Sequence, residues 1–291
     1  MDITDRYTWK NDESKDERKN HFLLPKSIRA LLVGHSNCGK STIMNTLLLR
    51  PGCLDYQNLL IFGKSLHQME YQIMKCAFEK GLSKSQIQVI FDHQKLVNEQ
   101  GGPLRVIENF DGQCKGDITT SFFDDCNEIP DPSTLDSKVK HMILFDDCMS
   151  GNQSKIGSYF CRGRHNNVNC FYITQSYFKI PRQEIRLNLN FLILFRQSQK
   201  DMRHIYDDHV SLDNIPYDVF LYDFCLRCWD LDPHNFICID LSRTKETGKY
   251  RCNFTEMWFP PILLDDIPTN KTHSKNNRNT GVGKGMLSST I

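Results

Sequence analysis

Gly34-His35-Ser36-Asn37-Cys38-Gly39-Lys40-Ser41 fits the pattern G-x-x-x-x-G-K-[ST], and Thr42 follows it. An apolar strand-like run, 31–33, precedes it and a helix-compatible stretch, 42–49, comes after, which is the context the pattern needs. Glycines at both ends let the backbone curl so that successive N–H groups point inward at phosphate oxygens, and the helix N-terminus adds its positive dipole end. Lys40 is expected to reach the β- and γ-phosphates, and the Ser41 hydroxyl to ligate Mg²⁺. The ligand expected is therefore Mg·ATP, bound by Gly34, His35, Ser36, Asn37, Cys38, Gly39, Lys40, Ser41 and Thr42.

Such a loop needs an acidic strand end to hold the metal and prepare a water. The sequence offers His141-Met142-Ile143-Leu144-Phe145-Asp146-Asp147, an apolar run that closes on two carboxylates. Asp146 is read as the metal acid and Asp147 as the group that orients or deprotonates the attacking water. A guanine-reading N-K-x-D is lacking in the core, and Thr269-Asn270-Lys271-Thr272 lacks its Asp, which disfavours GTP. Further on, the run 168–173 delivers Thr174 and Gln175 to a strand end, the edge at which open parallel sheets hold ligand. Gln175 is read as a sensor of the γ-phosphate or lytic water. Arg162 and Arg164 precede that run, where a permanently charged fork could cross to a neighbouring subunit's nucleotide. Between Arg162 and His204 stand Arg162, Arg164, Lys179, Arg182, Arg186, Arg196, Lys200 and Arg203 against only Glu184 and Asp201, a local excess suited to DNA phosphates or to a subunit contact.

The elements that must position these groups follow from patterning. Short apolar runs at 28–33, 59–62, 87–91, 142–145, 168–173, 191–195 and 236–239 alternate with helical stretches, which predicts an α/β fold with a mainly parallel sheet flanked by helices. Runs 59–62 and 87–91 fall between the two motifs. This suggests the RecA-like (ASCE) branch of P-loop NTPases, in which a strand separates the phosphate loop from the acidic strand. The 291 residues are read as an N-terminal arm (1–21), an ATPase domain (22–261) with an elaborated insertion at about 94–139, and a basic tail (262–291) expected to be disordered. A net charge of +1 excludes a uniformly basic nucleic-acid coat. No apolar run is long enough for a membrane span and the N-terminus lacks a signal core, so the chain is expected to be soluble, intracellular and not secreted. The 12 cysteines are scattered through strand-like runs and read as reduced, mostly buried thiols. Cys225, Cys228, His234 and Cys238 have knuckle-like spacing for zinc. Cys238 lies in a strand-like run and Cys225 and Cys228 in a helical one, so packing is the preferred reading.

The order of the phosphate loop, Ile143-Leu144-Phe145-Asp146-Asp147, Arg162-Gly163-Arg164-His165 and then Phe171-Tyr172-Ile173-Thr174-Gln175-Ser176-Tyr177 resembles the DNA-packaging ATPases of large eukaryotic DNA viruses and of Polinton (Maverick) elements, within the FtsK/HerA superfamily. The likeness spans about 24–259. It implies a homo-oligomeric ring, hexameric by expectation, that hydrolyses ATP to thread double-stranded DNA into a capsid, with capsid proteins as further partners at the assembly site. By the resemblance, Gly163-Arg164 stands where a trans-acting arginine is expected. Asp147 stands where many members carry Glu. Alternatives kept open are a RecA-like helicase or recombination ATPase and a nucleotide-binding scaffold with little hydrolysis; a small-molecule kinase lacks an acceptor lid.

Overall fold

The structure, a computed structural model, describes residues 20–110, 116 and 118–261. The expected basic tail, and the expected arm except for residues 20–21, lie outside them. Nine described strands form one sheet: β1 (Arg29–Val33), β2 (Asn58–Gly63), β3 (Thr119–Phe123), β4 (His141–Asp146), β5 (Val168–Thr174), β6 (Phe191–Leu194), β7 (Ile237–Asp240), β8 (Tyr250–Cys252) and β9 (Glu256–Trp258). Their order is β3-β2-β4-β5-β1-β6-β7-β8-β9. From β3 to β6 every pairing is parallel, and β7, β8 and β9 add on antiparallel. Strands such as Ala30-Leu31-Leu32-Val33 and Met142-Ile143-Leu144-Phe145 are apolar at every position because helices cover both faces.

One apolar cluster packs α1 (Lys40–Leu49), α2 (Met69–Glu79) and α3 (Lys84–Asp92) over Leu59, Ile61 and Leu144. The other packs α6 (Gln153–Arg162), α7 (Gln199–His209) and the π-helix Val219–Leu226 over Leu31, Ile143 and Tyr172. The π-helix runs directly into the five-residue α8 (Arg227–Leu231). Here α4 (Gln94–Glu99) and α5 (Pro103–Glu108) are short helices inside the 94–139 segment, which also supplies β3 as the edge strand beside β2.

The structure departs from the sequence expectations at one run and at one pair of thiols. The run 87–91 is helix α3, not a strand. Ser83 caps it through a reciprocal box with Gln86, and Ile87 and Ile90, one turn apart, are buried while Val89 between them is 53% exposed. The strand that separates the phosphate loop from the acidic strand is instead β5, which lies between β1 and β4 and carries Gln175 at its end.

Cys228 and Cys252 are joined by a disulfide across Cα atoms 5.7 Å apart, so the cysteines are not all reduced. The fold brings α8 against β8 although 24 residues separate the pair. This also breaks up the zinc-like set: Cys228 is bonded to Cys252, Cys238 is buried within β7, and His234 lies beside the phosphate loop.

Candidate active site

Register sets the site. Val33 of β1 faces Thr174 of β5, Asp146 of β4 faces Ile173, and Gly63 of β2 faces Asp146, so the C-terminal ends of these strands share one edge. The Asp147 amide donates to the Ile173 carbonyl (3.1 Å) and the Gly34 amide to the Thr174 carbonyl (3.2 Å). These bonds tie the acidic pair, the phosphate loop and the Gln175 segment to one frame.

The loop itself wraps tightly. A Cβ on Gly34 would lie 2.5 Å from Cys38 Sγ and 2.8 Å from Phe195 Cβ, so no side chain fits there. Gly39 holds φ +110° at the N-cap of α1, a conformation natural only to glycine, and so turns the chain into the helix that starts at Lys40. Lys40 Nζ donates to the carbonyls of Gly34 (2.7 Å) and His35 (2.6 Å). The ammonium thus lies across the concave side of the loop.

A cavity of about 610 Å³ opens at this edge. From the loop it is lined by Ser36, Asn37, Gly39, Lys40, Ser41 and Thr42, and from β4 and β5 by Asp146, Asp147, Ile173, Thr174 and Gln175. Of the expected loop residues, Gly34 is buried, the Cys38 side chain packs against the core with its thiol pKa raised by burial, and the exposed His35 contributes its carbonyl to Lys40.

Asp146 is half-buried and accepts a hydrogen bond from Tyr71 Oη at 2.6 Å. Burial pushes its carboxyl pKa up and Asp147 adds to that, while the Tyr71 hydrogen bond and the Lys40 charge pull it down. Burial likewise drives the Tyr71 phenol up, so it stays a donor. A partly desolvated carboxylate that lines the same cavity as the Ser41 hydroxyl offers oxygen donors of the kind that fit a hard divalent cation such as Mg²⁺. Asp147 is exposed and in the left-handed region (φ 52°), a conformation that Asp tolerates better than most residues.

Four rim residues escaped the sequence reading: Ser65, Gln68 and Glu70 around the start of α2, and His234, whose Nδ1 lies 3.2 Å from the Cys38 carbonyl. Tyr71 was missed as well. Only the turn after β2 hinted at the first group, and 196 residues separate His234 from its partner. Tyr71→Phe is expected to cost about 1.5–3 kcal/mol of stability, the worth of a hydrogen bond to a charged group. It should also raise the Mg²⁺ concentration needed for half-maximal turnover several-fold, because the carboxylate loses its orienting partner; chemical denaturation and a Mg²⁺ titration check both.

Neither Arg162 nor Arg164 lines the cavity. Both precede β5 and so stand at the opposite end of the parallel strands, where Arg162 pairs with Asp131 (3.1 Å). Arg164 is exposed, without an ion pair among the described residues. A role at phosphate is open to either only across a subunit boundary. The basic segment is also not one patch: Arg182 and Arg186 pair with Asp208 (2.8 and 3.3 Å) and Arg196 with Asp230.

No family model matches the chain, and no curated protein matches it. Solved structures do. The genome packaging NTPase of Sulfolobus turreted icosahedral virus 2, in complex with AMP, aligns at 10% identity and TM-score 0.47 over 81% of this chain and 98% of that one. VirB4 of Thermoanaerobacter pseudethanolicus aligns at 10% identity and TM-score 0.39 over 82% and 90%. The bacterial conjugative coupling protein TrwB aligns at 12% identity and TM-score 0.36 over 73% and 80%. The chain's own strand order, with β5 between β1 and β4 and the glycine loop leading into α1, is that of a RecA-like P-loop NTPase.

Proposed function

We propose that the chain is an ATP hydrolase that drives double-stranded DNA into a viral or virus-like capsid, acting as a ring of identical subunits inside the host cell. One observation carries the catalytic half: a single cavity gathers Lys40 and Ser41 with Asp146, Asp147 and Gln175. The DNA half rests on the order of motifs along the sequence.

In this reading the loop amides and Lys40 hold the triphosphate, and Ser41 and Asp146 hold Mg²⁺, whose charge neutralises the phosphate oxygens. Asp147 orients and deprotonates the water. Gln175, exposed at the end of β5, hydrogen-bonds the γ-phosphate or that water and passes its state to the segment that follows. With no cation other than Lys40 among the cavity's lining residues, the leaving phosphates have room for a guanidinium from a neighbouring subunit, and Arg164 is the candidate.

Single-turnover hydrolysis with and without duplex DNA tests the proposal. Turnover accelerated by duplex supports a motor; binding of ATP without hydrolysis in either condition supports a scaffold; strand separation in place of translocation supports a helicase. Arg164→Ala is expected to be inactive alone and to regain activity when mixed with Lys40→Ala subunits, since each variant then supplies what the other lacks. Absence of rescue would remove the trans role.

A further inference from the structure

The segment that leaves the cavity after Gln175 is pinned by a buried carboxylate. Asp201, 8% exposed in the first turn of α7, accepts from the Phe178 amide (2.8 Å) and the Ser176 hydroxyl (3.4 Å) on one oxygen and from the Ser198 hydroxyl (3.1 Å) on the other. The consequence is a phenyl ring held outside the core: Phe178 is 45% exposed. Lys200 Nζ sits 3.9 Å from that ring's centroid, and the His204 ring stacks on Phe178 at 4.8 Å with an interplanar angle of 25°. Arg203 lies over Tyr217 at 3.7 Å, and exposed Lys179 follows Phe178 directly. Lys179 and Lys200 have no acidic partner among the described residues, unlike Arg182, Arg186 and Arg196.

We infer that this crest, Phe178, Lys179, Lys200 and Arg203, is the surface that bears on the backbone of duplex DNA; the inference rests on the DNA-motor reading above and assigns its contact. Cations braced on aromatic faces lose less side-chain freedom when they meet a phosphate than free lysines do. The part of the ring left exposed offers apolar surface to deoxyribose between two phosphate contacts. The crest stands at the same sheet edge as the phosphate loop, because α7 begins just after β6, which runs parallel to β1. A pull on Lys179 or Lys200 therefore acts on the short segment that carries Gln175, clamped at its far end by Asp201.

The test is duplex affinity as a function of KCl concentration. For Lys179→Gln with Lys200→Gln, two lost phosphate contacts should flatten the log–log salt dependence by about 1.8, which corresponds to binding weakened by roughly 60-fold near 0.1 M salt. Phe178→Ala, which removes no charge, should weaken binding about threefold with the slope unchanged. A control pair of exposed lysines on other elements, Lys75→Gln on α2 with Lys138→Gln before β4, should alter neither. If the wild-type chain binds duplex and the crest variants keep its slope and affinity, the crest is overturned while the motor reading stands. If the wild-type chain neither binds duplex nor is stimulated by it, both fall. If the crest variants change subunit association with the slope intact, the surface is a subunit contact and the inference fails.

Discussion

Lys40→Ala is expected to lower ATP turnover by about 10³-fold, the loss typical when a preorganised positive charge is removed from a developing phosphoryl anion. The ammonium now lies across the loop, donating to the carbonyls of Gly34 and His35. To reach phosphate it needs only to exchange two neutral acceptors for a charged one, so the site is preformed. Alanine removes both the phosphate contact and the two bonds that hold the loop closed, and nucleotide affinity should fall as well. Thermal melting gives an independent readout: ATP stabilises a protein that binds it by RT ln(1 + [L]/Kd), and that shift should shrink or vanish in the variant. Turnover within a few-fold of wild type would mean that the loop is not the phosphate site.

Asp146→Asn should cost about 10²–10³-fold in Mg²⁺-dependent turnover, because a neutral amide cannot balance the cation's charge. Its effect on folding should have the opposite character. The carboxylate is partly desolvated, and burial already disfavours its charged form, while Asn still offers an oxygen to Tyr71 Oη. Stability is therefore expected to hold or rise by up to about 1 kcal/mol, as is common where a functional charge is removed from a site that strains to keep it. Steady-state kinetics beside urea denaturation separates the two effects. A variant that loses activity and stability together would instead make Asp146 a structural residue.

What was readable in the sequence shares one physical cause: the candidate site residues sit at the ends of buried strands, and a buried strand announces itself as an unbroken apolar run. Gly34 follows Val33, Asp146 closes 142–145 and Gln175 follows 168–173, so register alone brought them to one edge. The failures arise where apolar residues obey another period or where partners are remote. Ile87-Gln88-Val89-Ile90-Phe91 is rich in β-branched residues, yet the Ser83 cap and the spacing of Ile87 and Ile90 make it helix. β3 went unseen because Thr119-Thr120-Ser121 is polar and forms an edge. Tyr71, His234 and the Cys228–Cys252 bond depend on which helix meets which strand, and no local pattern encodes that.

The basic run between Arg162 and His204 teaches the same point about charge. Four of its cations are paired with acids that lie outside the run, Asp131, Asp208 and Asp230, so linear counting overstates the field that a partner meets. What remains is sorted by the sheet: Arg164 at the entry to β5, Lys179 beyond its exit, and Lys200 and Arg203 on α7 beyond the exit of β6. In the proposed motor the first would serve the neighbour's nucleotide and the others the cargo.

The proposed function stands or falls with a triphosphate in the Gly34–Ser41 loop and its divalent cation between Ser41 and Asp146. Crystals grown with Mn²⁺ and a non-hydrolysable ATP analogue, measured at the manganese absorption edge, test it most directly. An anomalous peak is expected between the Ser41 hydroxyl and the Asp146 carboxylate, against the analogue's terminal phosphates. A peak elsewhere, or an analogue seated away from the loop, would contradict it.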